Sequence, residues 1–236
     1  MRIEGSVALV TGANRGLGRA FARLLLDRGA AKVYGAARDP GAVTADGVTP
    51  VRLDVTSPAD VAAAAERCGD VTLLVNNAGI STGTGVLAPD ALDAGRREVE
   101  TNVFGTLAVS RAFAPILGRN GGGALVNILS VLSWLAWPTT AMYAASKAAA
   151  WSLTNSLRLE LQPQGTSVVG VHCGFLDTDM AASVDAPKLA PEAVVEQTLD
   201  AIEHGRPEVL ADDVSRQVRA ALAGDLATLY PTVAAR

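Results

Sequence analysis

Short apolar runs alternate along the chain with longer segments whose apolar residues recur at helical spacing. Residues 6–11 are rich in valine and show no alternation of apolar and polar positions, which predicts a strand buried on both faces. Leu17, Phe21 and Leu24 follow at the helical period. Similar runs predict further strands at residues 32–36, 50–55, 73–76, 124–129, 168–172 and 208–210. The pattern predicts an α/β fold: a doubly wound, Rossmann-like domain with an about seven-stranded parallel sheet and helices on both faces.

Local signals mark where several helices begin and end. Ser57 followed by Pro58 predicts a helix start, because serine caps the free N–H groups and proline suits the first turn. A long helix is predicted at roughly residues 97–117, before a glycine loop and the fifth strand. No linker, repeat or low-complexity tract divides the sequence, so we predict one domain over residues 1–236.

The first predicted strand leads directly into a glycine-rich turn and a helix. The turn reads Gly12-Ala13-Asn14-Arg15-Gly16-Leu17-Gly18. Its backbone N–H groups and the helix N-terminus can hold a pyrophosphate, because glycines allow a ligand to approach closely. Three residues separate the first two glycines, unlike the common G-x-G-x-x-G spacing. The alternative is a tight turn that binds no ligand.

The end of the second predicted strand indicates which dinucleotide would bind. An acidic residue there would accept from the ribose hydroxyls and repel a 2′-phosphate, but the position holds Ala37, followed by Arg38. Arg38 and Arg15 could clamp a phosphate together, which favours NADP(H) over NAD(H). Two alternatives stay open: both arginines are solvated, or a longer strand brings Asp39 to the ribose of NAD.

Candidate chemistry lies between the fifth strand and the helix that follows it. Tyr143 and Lys147 are four residues apart, so both side chains lie on one helix face. An unperturbed phenol titrates near pKa ~10, and an ammonium one turn away would lower the pKa of Tyr143. Ser130, at the end of the preceding strand, could reach the same carbonyl oxygen, so the three residues could polarise and protonate a C=O. The alternative is a chance pair on a surface helix.

Composition excludes several other classes of function. The 236 residues are 49% hydrophobic and carry a net charge of -4 without a basic stripe, so neither nucleic acid nor a membrane is an expected partner. Cys68 and Cys173 lack metal-type spacing, and His172 and His204 are too few for a histidine cluster, so no metal site is predicted. The N-terminus lacks the apolar stretch of a signal peptide, and we predict a cytoplasmic protein.

Taken together, the motifs resemble the short-chain dehydrogenase/reductase superfamily, in its compact NAD(P)-dependent branch. The resemblance runs nearly from end to end, and the order and spacing of its motifs are highly specific. The matching residues are Thr11-Gly12-x-x-x-Gly16-x-Gly18, Asp54, Asn76-Asn77-Ala78-Gly79, Asn102, Ser130, Tyr143-x-x-x-Lys147 and the segment 174–178.

The resemblance implies a role for each matching position. Ser130 and Tyr143 would donate to the ketone oxygen while a hydride moves from the nicotinamide to the carbonyl carbon, and Tyr143 would then protonate the alkoxide. Lys147 would hold the nicotinamide ribose, and Asn102 would keep a water in a proton relay to Lys147, although it could instead be a helix-bending polar residue. The implied cofactor-binding residues are Gly12, Asn14, Arg15, Gly16, Leu17, Gly18, Arg38, Asp54, Val55, Asn77, Ala78, Gly79, Tyr143, Lys147, Gly174, Leu176 and Thr178.

The chain departs from the family pattern at a few positions. Cys173 precedes Gly174 where the family often has Pro-Gly, so a thiol could face the nicotinamide, or Cys173 could be a small buried apolar residue. Ser133 is a second hydroxyl near Ser130, but its spacing to Tyr143 does not match the family position. The segment 178–191 is short for a substrate lid, which predicts an open pocket.

The implied pocket walls are mostly apolar or aromatic, which suggests a hydrophobic ketone, aldehyde or secondary alcohol as substrate. Trp134 and Trp137 could line this pocket or could pack in the core or at a subunit contact. The helix at 97–117 and the Tyr143 helix are apolar on more than one face, which predicts a homotetramer or homodimer.

Two other classes of function are weighed against the enzyme. A non-catalytic dinucleotide-binding regulator on the same fold would not need Ser130, Tyr143, Lys147 and Asn102, all of which are present. An epimerase or dehydratase is disfavoured by the glycine spacing and by a C-terminal part too small for a nucleotide-sugar domain. The expected activity is therefore an NADP(H)-dependent carbonyl reductase or alcohol dehydrogenase.

Overall fold

The computed structural model describes residues 1–231, whose strands form one seven-stranded sheet. The strands are β1 Val7–Thr11, β2 Lys32–Ala37, β3 Val48–Arg52, β4 Leu73–Asn76, β5 Ala124–Ile128, β6 Ser167–His172 and β7 Glu208–Leu210. All neighbours pair in parallel, in the order β3-β2-β1-β4-β5-β6-β7. The predicted doubly wound α/β fold is confirmed.

Helices cover both faces of the sheet and create two apolar cores. The helices are α1 Gly16–Asp27, α2 Pro58–Arg67, α3 Ala91–Val99, α4 Thr106–Arg119, α5 Ala141–Leu161, α6 Pro191–Glu203, α7 Asp213–Ala221 and α8 Leu226–Leu229. One core includes buried residues of α1 and α6, and the other includes buried residues of α2, α4 and α5. In β1, Ala8 and Val10 belong to the first core and Leu9 to the second, which explains why the strand is apolar at every central position.

Two predicted element boundaries are wrong. The third strand is predicted at residues 50–55 but spans Val48–Arg52, so Asp54 lies in the loop after it. Pro50 is tolerated inside this strand because β3 is an edge strand. The single helix predicted at 97–117 is instead α3, a π-helical segment Glu100–Gly105, and α4. A π-helical turn widens the helix locally and is frequent at functional sites.

The strand order reverses between β1 and β4, and a buried polar network fixes the sheet at this point. The Asn76 amide donates to Asn127 Oδ1 and to Ser110 Oγ, both at 2.9 Å. The Asn127 amide donates in turn to Thr154 Oγ1 on α5 at 2.9 Å. The ends of β4 and β5 are therefore held to each other and to the helices that pack on them, and the crevice beside them is the expected ligand site.

Three predictions concern properties other than the fold of one chain. The single-domain boundary at 1–236, the cytoplasmic location and the homo-oligomer stay predictions. In the part of the chain from residue 1 to residue 231, no helix combines the length and apolar character needed to cross a membrane.

Candidate active site

The glycine turn after β1 brings backbone close to the ends of β1 and β4. Gly12 and Gly16 have φ of 66° and 50°, in the left-handed region that favours glycine. A Cβ at Gly18 would lie 2.1 Å from the Gly12 carbonyl oxygen and 2.6 Å from Asn77 Nδ2. Side chains do not fit at these glycine positions, so the surface of the turn there consists of backbone atoms.

Thr11 and Asn77 hold this turn in place. Thr11 Oγ1 accepts from the N–H groups of Asn77 and Ala78, both at 2.9 Å. The Asn77 amide donates to the carbonyl oxygens of Thr11 and Gly12, at 2.9 and 3.3 Å. These hydrogen bonds connect the ends of β1 and β4 through Thr11 and Asn77, and the cofactor-binding role of Asn77 stays a prediction.

Helix α1 begins in the turn and presents its N-terminus to the crevice. Within residues 1–231, no side chain caps this end, and the first turn carries no acidic residue, so a negatively charged group could be accommodated there. Thr178 lies across the turn, because a Cβ at Gly16 would be 3.2 Å from its Cγ2. Arg15 reaches the same segment and pairs with Asp179 at 3.1 Å, with both side chains exposed.

The segment that carries Thr178 is anchored at both ends. The Gly174 N–H donates to Asp212 Oδ2 at 2.6 Å, and Leu176 pairs with Leu189 in an isolated parallel bridge. The Asp212 carboxylate also caps α7 through the Ser215 N–H at 2.7 Å. The sequence pattern did not mark Asp212, since the capping signal alone does not indicate a contact with Gly174.

Further residues predicted to contact the cofactor follow the carboxyl ends of β2 and β3. Arg38 directly follows β2 and is exposed. The Asp39 carboxylate accepts from the Gly41 N–H at 2.9 Å and caps the turn at Pro40–Ala42, so it is already engaged locally. Asp54 accepts from the Thr56 hydroxyl and N–H at 2.7 and 2.9 Å, and these hydrogen bonds lower the pKa of its carboxyl.

Ser130 lies two residues after the end of β5, and its backbone and side chain both make hydrogen bonds. Its Oγ accepts from the Leu132 N–H at 3.1 Å and lies 3.5 Å from the Cys173 carbonyl oxygen. Ser133 Oγ accepts instead from the Ser130 N–H at 3.4 Å, which uses the second hydroxyl to support the turn. This geometry agrees with the choice of Ser130 over Ser133.

Tyr143 and Lys147 lie on α5 beside Ser130. Burial is the main cause that raises the pKa of Tyr143, whereas its interaction with the Ser130 hydroxyl lowers it. Lys147 Nζ donates to the Ile128 carbonyl oxygen at 2.7 Å and lies 5.6 Å from the centroid of the Tyr143 ring. Burial lowers the pKa of Lys147 to about 8. The expectation that Lys147 would lower the pKa of Tyr143 is therefore wrong for the chain without nucleotide, where desolvation dominates.

Asn102 lies in the π-helical segment and connects α5 to the loop after β4. Its side-chain oxygen accepts from the Ile80 N–H at 2.8 Å, and its amide donates to the Ile80 carbonyl oxygen at 2.9 Å. The same amide donates to Ser146 Oγ at 2.9 Å, and Ser146 donates to the Tyr143 carbonyl oxygen at 2.8 Å. Asn102 thus lies where the helix is interrupted and contacts the Tyr143 helix, and its role in a proton relay stays a prediction.

Glu98 is a buried acidic residue that the sequence interpretation missed. Its Oε1 accepts from the Thr82 N–H and hydroxyl at 2.5 and 2.8 Å, which ties the loop after β4 to α3. Its side chain is fully buried, and it is among the groups that raise the pKa of Tyr143. The available signal was its spacing, since residues four apart share a helix face and Glu98 precedes Asn102 by four.

The two tryptophans and Cys173 have different surroundings. Trp134 is buried and stacks on His172, so it packs in the core, whereas Trp137 is 57% exposed at the edge of the site. Cys173 is buried, and burial raises the pKa of its thiol to about 12. It therefore fits the alternative of a small buried residue.

Comparison with known proteins adds a family to this geometry. The profile of the short chain dehydrogenase family matches residues 6–189. The chain is 34% identical over 194 residues to the 3-oxoacyl-[acyl-carrier-protein] reductase of Vibrio cholerae, covering 78% of this chain and 79% of that protein. A solved short chain dehydrogenase from Burkholderia cenocepacia in complex with NADP is 42% identical, with a TM-score of 0.94 and 100% of both chains covered. Another, from Burkholderia phymatum in complex with NAD, is 28% identical, with a TM-score of 0.83 and coverage of 94% and 96%. The chain belongs to the short-chain dehydrogenase/reductase family of oxidoreductases.

Proposed function

We propose that this protein is an NADP(H)-dependent oxidoreductase that transfers a hydride between the nicotinamide and the carbonyl carbon of a hydrophobic ketone or aldehyde, or of the corresponding secondary alcohol. The observation that carries the proposal is the arrangement of Ser130, Tyr143 and Lys147 around one crevice beside the glycine turn. This arrangement puts two hydroxyls and a cation where a carbonyl oxygen needs hydrogen-bond donors and a proton.

The residues present fit a dinucleotide. The backbone of the glycine turn and the uncapped N-terminus of α1, as described for residues 1–231, offer N–H groups to a pyrophosphate. Asp54 and Val55 are proposed to hold the adenine, and Thr178, which lies against Gly16, is proposed to reach the nicotinamide end. We propose that the remaining predicted residues also contact the dinucleotide, namely Asn14, Leu17, Ala78, Gly79, Gly174 and Leu176.

The proposed chemistry assigns one task to each side chain. When NADPH is bound, it supplies the hydride to the carbonyl carbon. Ser130 and Tyr143 donate hydrogen bonds to the carbonyl oxygen, and Tyr143 transfers its proton to the oxygen as negative charge develops there. Because burial raises the pKa of Tyr143, the phenol is protonated at neutral pH and ready to act as the acid. The Lys147 ammonium stabilises the phenolate that remains.

The proton lost by Tyr143 must be replaced from solvent before the next turnover. We assign Asn102 a part in this replacement, because it links the loop after β4 to α5 beside Lys147. A Cβ at Gly79 would lie 3.1 Å from the Asn102 side-chain oxygen and 3.8 Å from Lys147 Nζ, so the two side chains flank the same glycine. A water held between them would complete a path to Lys147.

The preference for NADP(H) rests on the end of β2. Asp39 Oδ1 caps its own turn, which leaves less of this carboxylate to accept from both ribose hydroxyls, as it would for NAD. Arg38 is exposed at the adjacent position and can pair with a 2′-phosphate. Arg15 would join it only by leaving Asp179, and this surface ion pair is weak enough to exchange. The NADP complex of the 42% identical Burkholderia cenocepacia protein supports this preference.

The hydrophobic substrate is inferred from the exposed apolar residues around the crevice. Trp137, Phe175 and Met180 are about half exposed, at 57%, 48% and 57%, and come from segments after β5 and β6. Such residues can cover an apolar chain or ring next to the reacting carbonyl. The Vibrio cholerae relative is named as a reductase of 3-oxoacyl groups, so a 3-oxoacyl thioester belongs among the ketones to test.

A homodimer or homotetramer completes the proposal. Phe104 in the π-helical segment and Leu159 on α5 are 53% and 78% exposed, which is unusual for large apolar side chains. Burial of such residues between identical subunits would explain their exposure in one chain. Light scattering should give a multiple of the 24.2 kDa chain mass, and a monomer at working concentration would contradict the assembly.

The decisive experiment compares nucleotide oxidation by the wild type and by Tyr143→Phe. We expect the wild type to oxidise NADPH with an apolar ketone, aldehyde, diketone or 3-oxoacyl thioester, and Tyr143→Phe to lose about 100- to 10,000-fold in kcat with little change in the Kd for NADPH. Tyr34→Phe is the matched control. The Tyr34 hydroxyl donates to Asp70, which precedes β4, at the amino ends of the strands and away from the site. Nucleotide binding without turnover by the wild type across the panel would favour the regulator.

A further inference from the structure

His172 is a buried histidine directly behind the catalytic serine. It ends β6, its side chain is fully buried, and its Nδ1 lies 3.1 Å from the Ser130 carbonyl oxygen. Its Nε2 faces Glu208 Oε1 on β7 at 3.6 Å. Both ring nitrogens therefore face oxygen atoms, one from a carbonyl and one from a carboxylate.

An aromatic and a cationic side chain complete these surroundings. The Trp134 ring stacks on the His172 ring with centroids 3.7 Å apart and planes inclined by 17°. The Arg219 guanidinium lies 5.5 Å from the centroid of the Trp134 ring, and its Nε is 3.5 Å from Glu208 Oε2. From α5, the Trp151 ring packs edge-on against Trp134. The charged groups that bear on the ring are thus Glu208 from β7 and Arg219 from α7.

The hydrogen-bonding capacity of an imidazole decides what this arrangement requires. A neutral ring carries one N–H, so its other nitrogen presents a lone pair. Because the Ser130 carbonyl can only accept, the 3.1 Å contact requires the proton on Nδ1. Nε2 lies 3.6 Å from Glu208 Oε1 and has no hydrogen-bond partner within residues 1–231.

We propose that His172, through a hydrogen bond from Nδ1 to the Ser130 carbonyl oxygen, is the positioning residue for the Ser130 hydroxyl. This inference rests on the proposed function, because Ser130 is the residue through which His172 acts. The Ser130 carbonyl accepts from the Ser133 N–H at 3.0 Å as well as from the ring, so both of its acceptor positions are used. The ring thereby fixes the orientation of the peptide unit that carries the serine.

The Glu208 carboxylate is close to both the His172 ring and Arg219. The contact with His172 and the attraction to Arg219 both lower the pKa of the Glu208 carboxyl. Glu208 therefore connects the His172 ring to α7.

Nitrogen-15 NMR can observe the ring protons directly, without reference to activity. The chain contains only two histidines, so His204→Gln leaves His172 as the single ring in the spectrum of the full-length protein. At about pH 7 we expect Nδ1 of His172 to carry a proton, as its hydrogen bond to the Ser130 carbonyl oxygen requires. A bare Nδ1 on His172 would overturn the inference.

Two substitutions then test the positioning role. His172→Phe keeps a flat ring but donates nothing to Ser130, so we expect kcat to fall about 10- to 100-fold with an unchanged Kd for NADPH. His172→Asn returns an amide N–H for the Ser130 carbonyl and should recover most of kcat. Wild-type kcat in His172→Phe would overturn the positioning role, as would failure of His172→Asn to exceed it. If His172→Phe does not fold, the kcat of His172→Asn is compared with that of His172→Leu instead.

The outcomes separate this inference from the proposed function. A wild type that binds nucleotide but reduces no ketone overturns the proposed function, and with it the catalytic meaning of His172. An active wild type with a bare Nδ1 on His172 overturns the present inference alone. The two failures are distinguishable because the spectrum and the turnover assay are independent.

Discussion

The two ends of the crevice are built from different chemical groups. At the glycine turn, the surface is backbone, and the supporting groups Thr11 and Asn77 are paired with one another and with the turn. At the carbonyl end, the surface includes the half-buried Tyr143 and the buried Lys147, whose pKa values are moved by burial. Buried polar atoms without a hydrogen-bond partner in residues 1–231 also occur around this end: Glu98 Oε2, Trp134 Nε1, Thr140 Oγ1 and His172 Nε2.

This difference reflects what each end has to bind. A pyrophosphate is recognised by backbone N–H groups and close approach, so the turn end depends on shape and has its side-chain hydrogen bonds already satisfied. A reacting carbonyl needs donors and a proton in a place shielded from water, so the other end tolerates desolvated groups that cost stability. Substitutions should therefore act on binding at one end and on turnover and pH dependence at the other.

The largest effect on nucleotide binding is expected from adding a methyl group at the turn end. Gly18→Ala would place a Cβ 2.1 Å from the Gly12 carbonyl oxygen, so the backbone must move. We expect at least about a 100-fold weaker Kd for NADPH, and a loss of about 1–3 kcal/mol in the free energy of unfolding. Nucleotide titration and chemical denaturation would measure the two quantities.

Gly69→Ala is the matched control for that substitution. The nearest atom to a Cβ at Gly69 is the Glu66 carbonyl oxygen at 3.8 Å, an ordinary contact. This variant should bind NADPH as the wild type does. Wild-type affinity in Gly18→Ala would break the comparison, because the turn end would then not depend on close backbone approach.

A smaller effect is expected at the adenosine end, where recognition uses one charged side chain. Arg38→Ala should weaken NADPH binding about 10- to 100-fold, since a hydrogen bond to a charged group contributes about 1.5–3 kcal/mol. NADH binding should change little, because NADH lacks the phosphate. Titration of both nucleotides tests this, with the exposed Arg119→Ala on α4 as control. Equal losses for NADPH and NADH would remove the argument for NADP(H).

The mildest test uses pH at the carbonyl end. Burial lowers the pKa of Lys147 to about 8, so its ammonium is present below that pH and is lost as the pH rises through it. The pKa of Tyr143 is raised by burial, so the phenol stays protonated over the same range. In the reduction direction, kcat/KM for NADPH, which reports the free enzyme, should be level from about pH 6 to about pH 7.5 and fall about tenfold per unit above about pH 8.

The variant Lys147→Arg sharpens this test. A guanidinium keeps its charge throughout the range, so the decline near pH 8 should disappear even though the altered geometry lowers the overall rate. If the decline persists in Lys147→Arg, it belongs to another group, and the assignment to Lys147 is wrong.

Most of the fold was predictable because its signals are local. Valine-rich runs such as the one ending at Thr11 mark strands covered on both faces, and seven such runs correspond to the seven strands observed. The boundary errors occur where tertiary contacts override the local pattern. Pro50 lies inside a strand because β3 has a free edge, and the helix around Asn102 widens where the Asn102 side chain hydrogen-bonds to Ile80.

The candidate site was predictable to the extent that it depends on spacing within one element. Tyr143 and Lys147 share a helix face, and the glycine turn lies between a strand and its helix. The role of Glu98 was missed because its partner Thr82 lies in a separate loop. The direction of the pKa shift of Tyr143 was also wrong, because burial is a property of the assembled chain and not of the helix.

The amino-acid sequence by itself determined the succession of strands and helices along the chain, the glycine turn and the Tyr143–Lys147 pair. Each of these depends on residues within a few positions of one another. Only the tertiary structure decided that Asp39 caps its own turn, that Arg15 meets Asp179, and that His172 stands between Ser130 and Glu208. These contacts join residues whose distance is set by how the sheet and its helices pack. Their charges and hydrogen bonds therefore become defined only when the chain has folded.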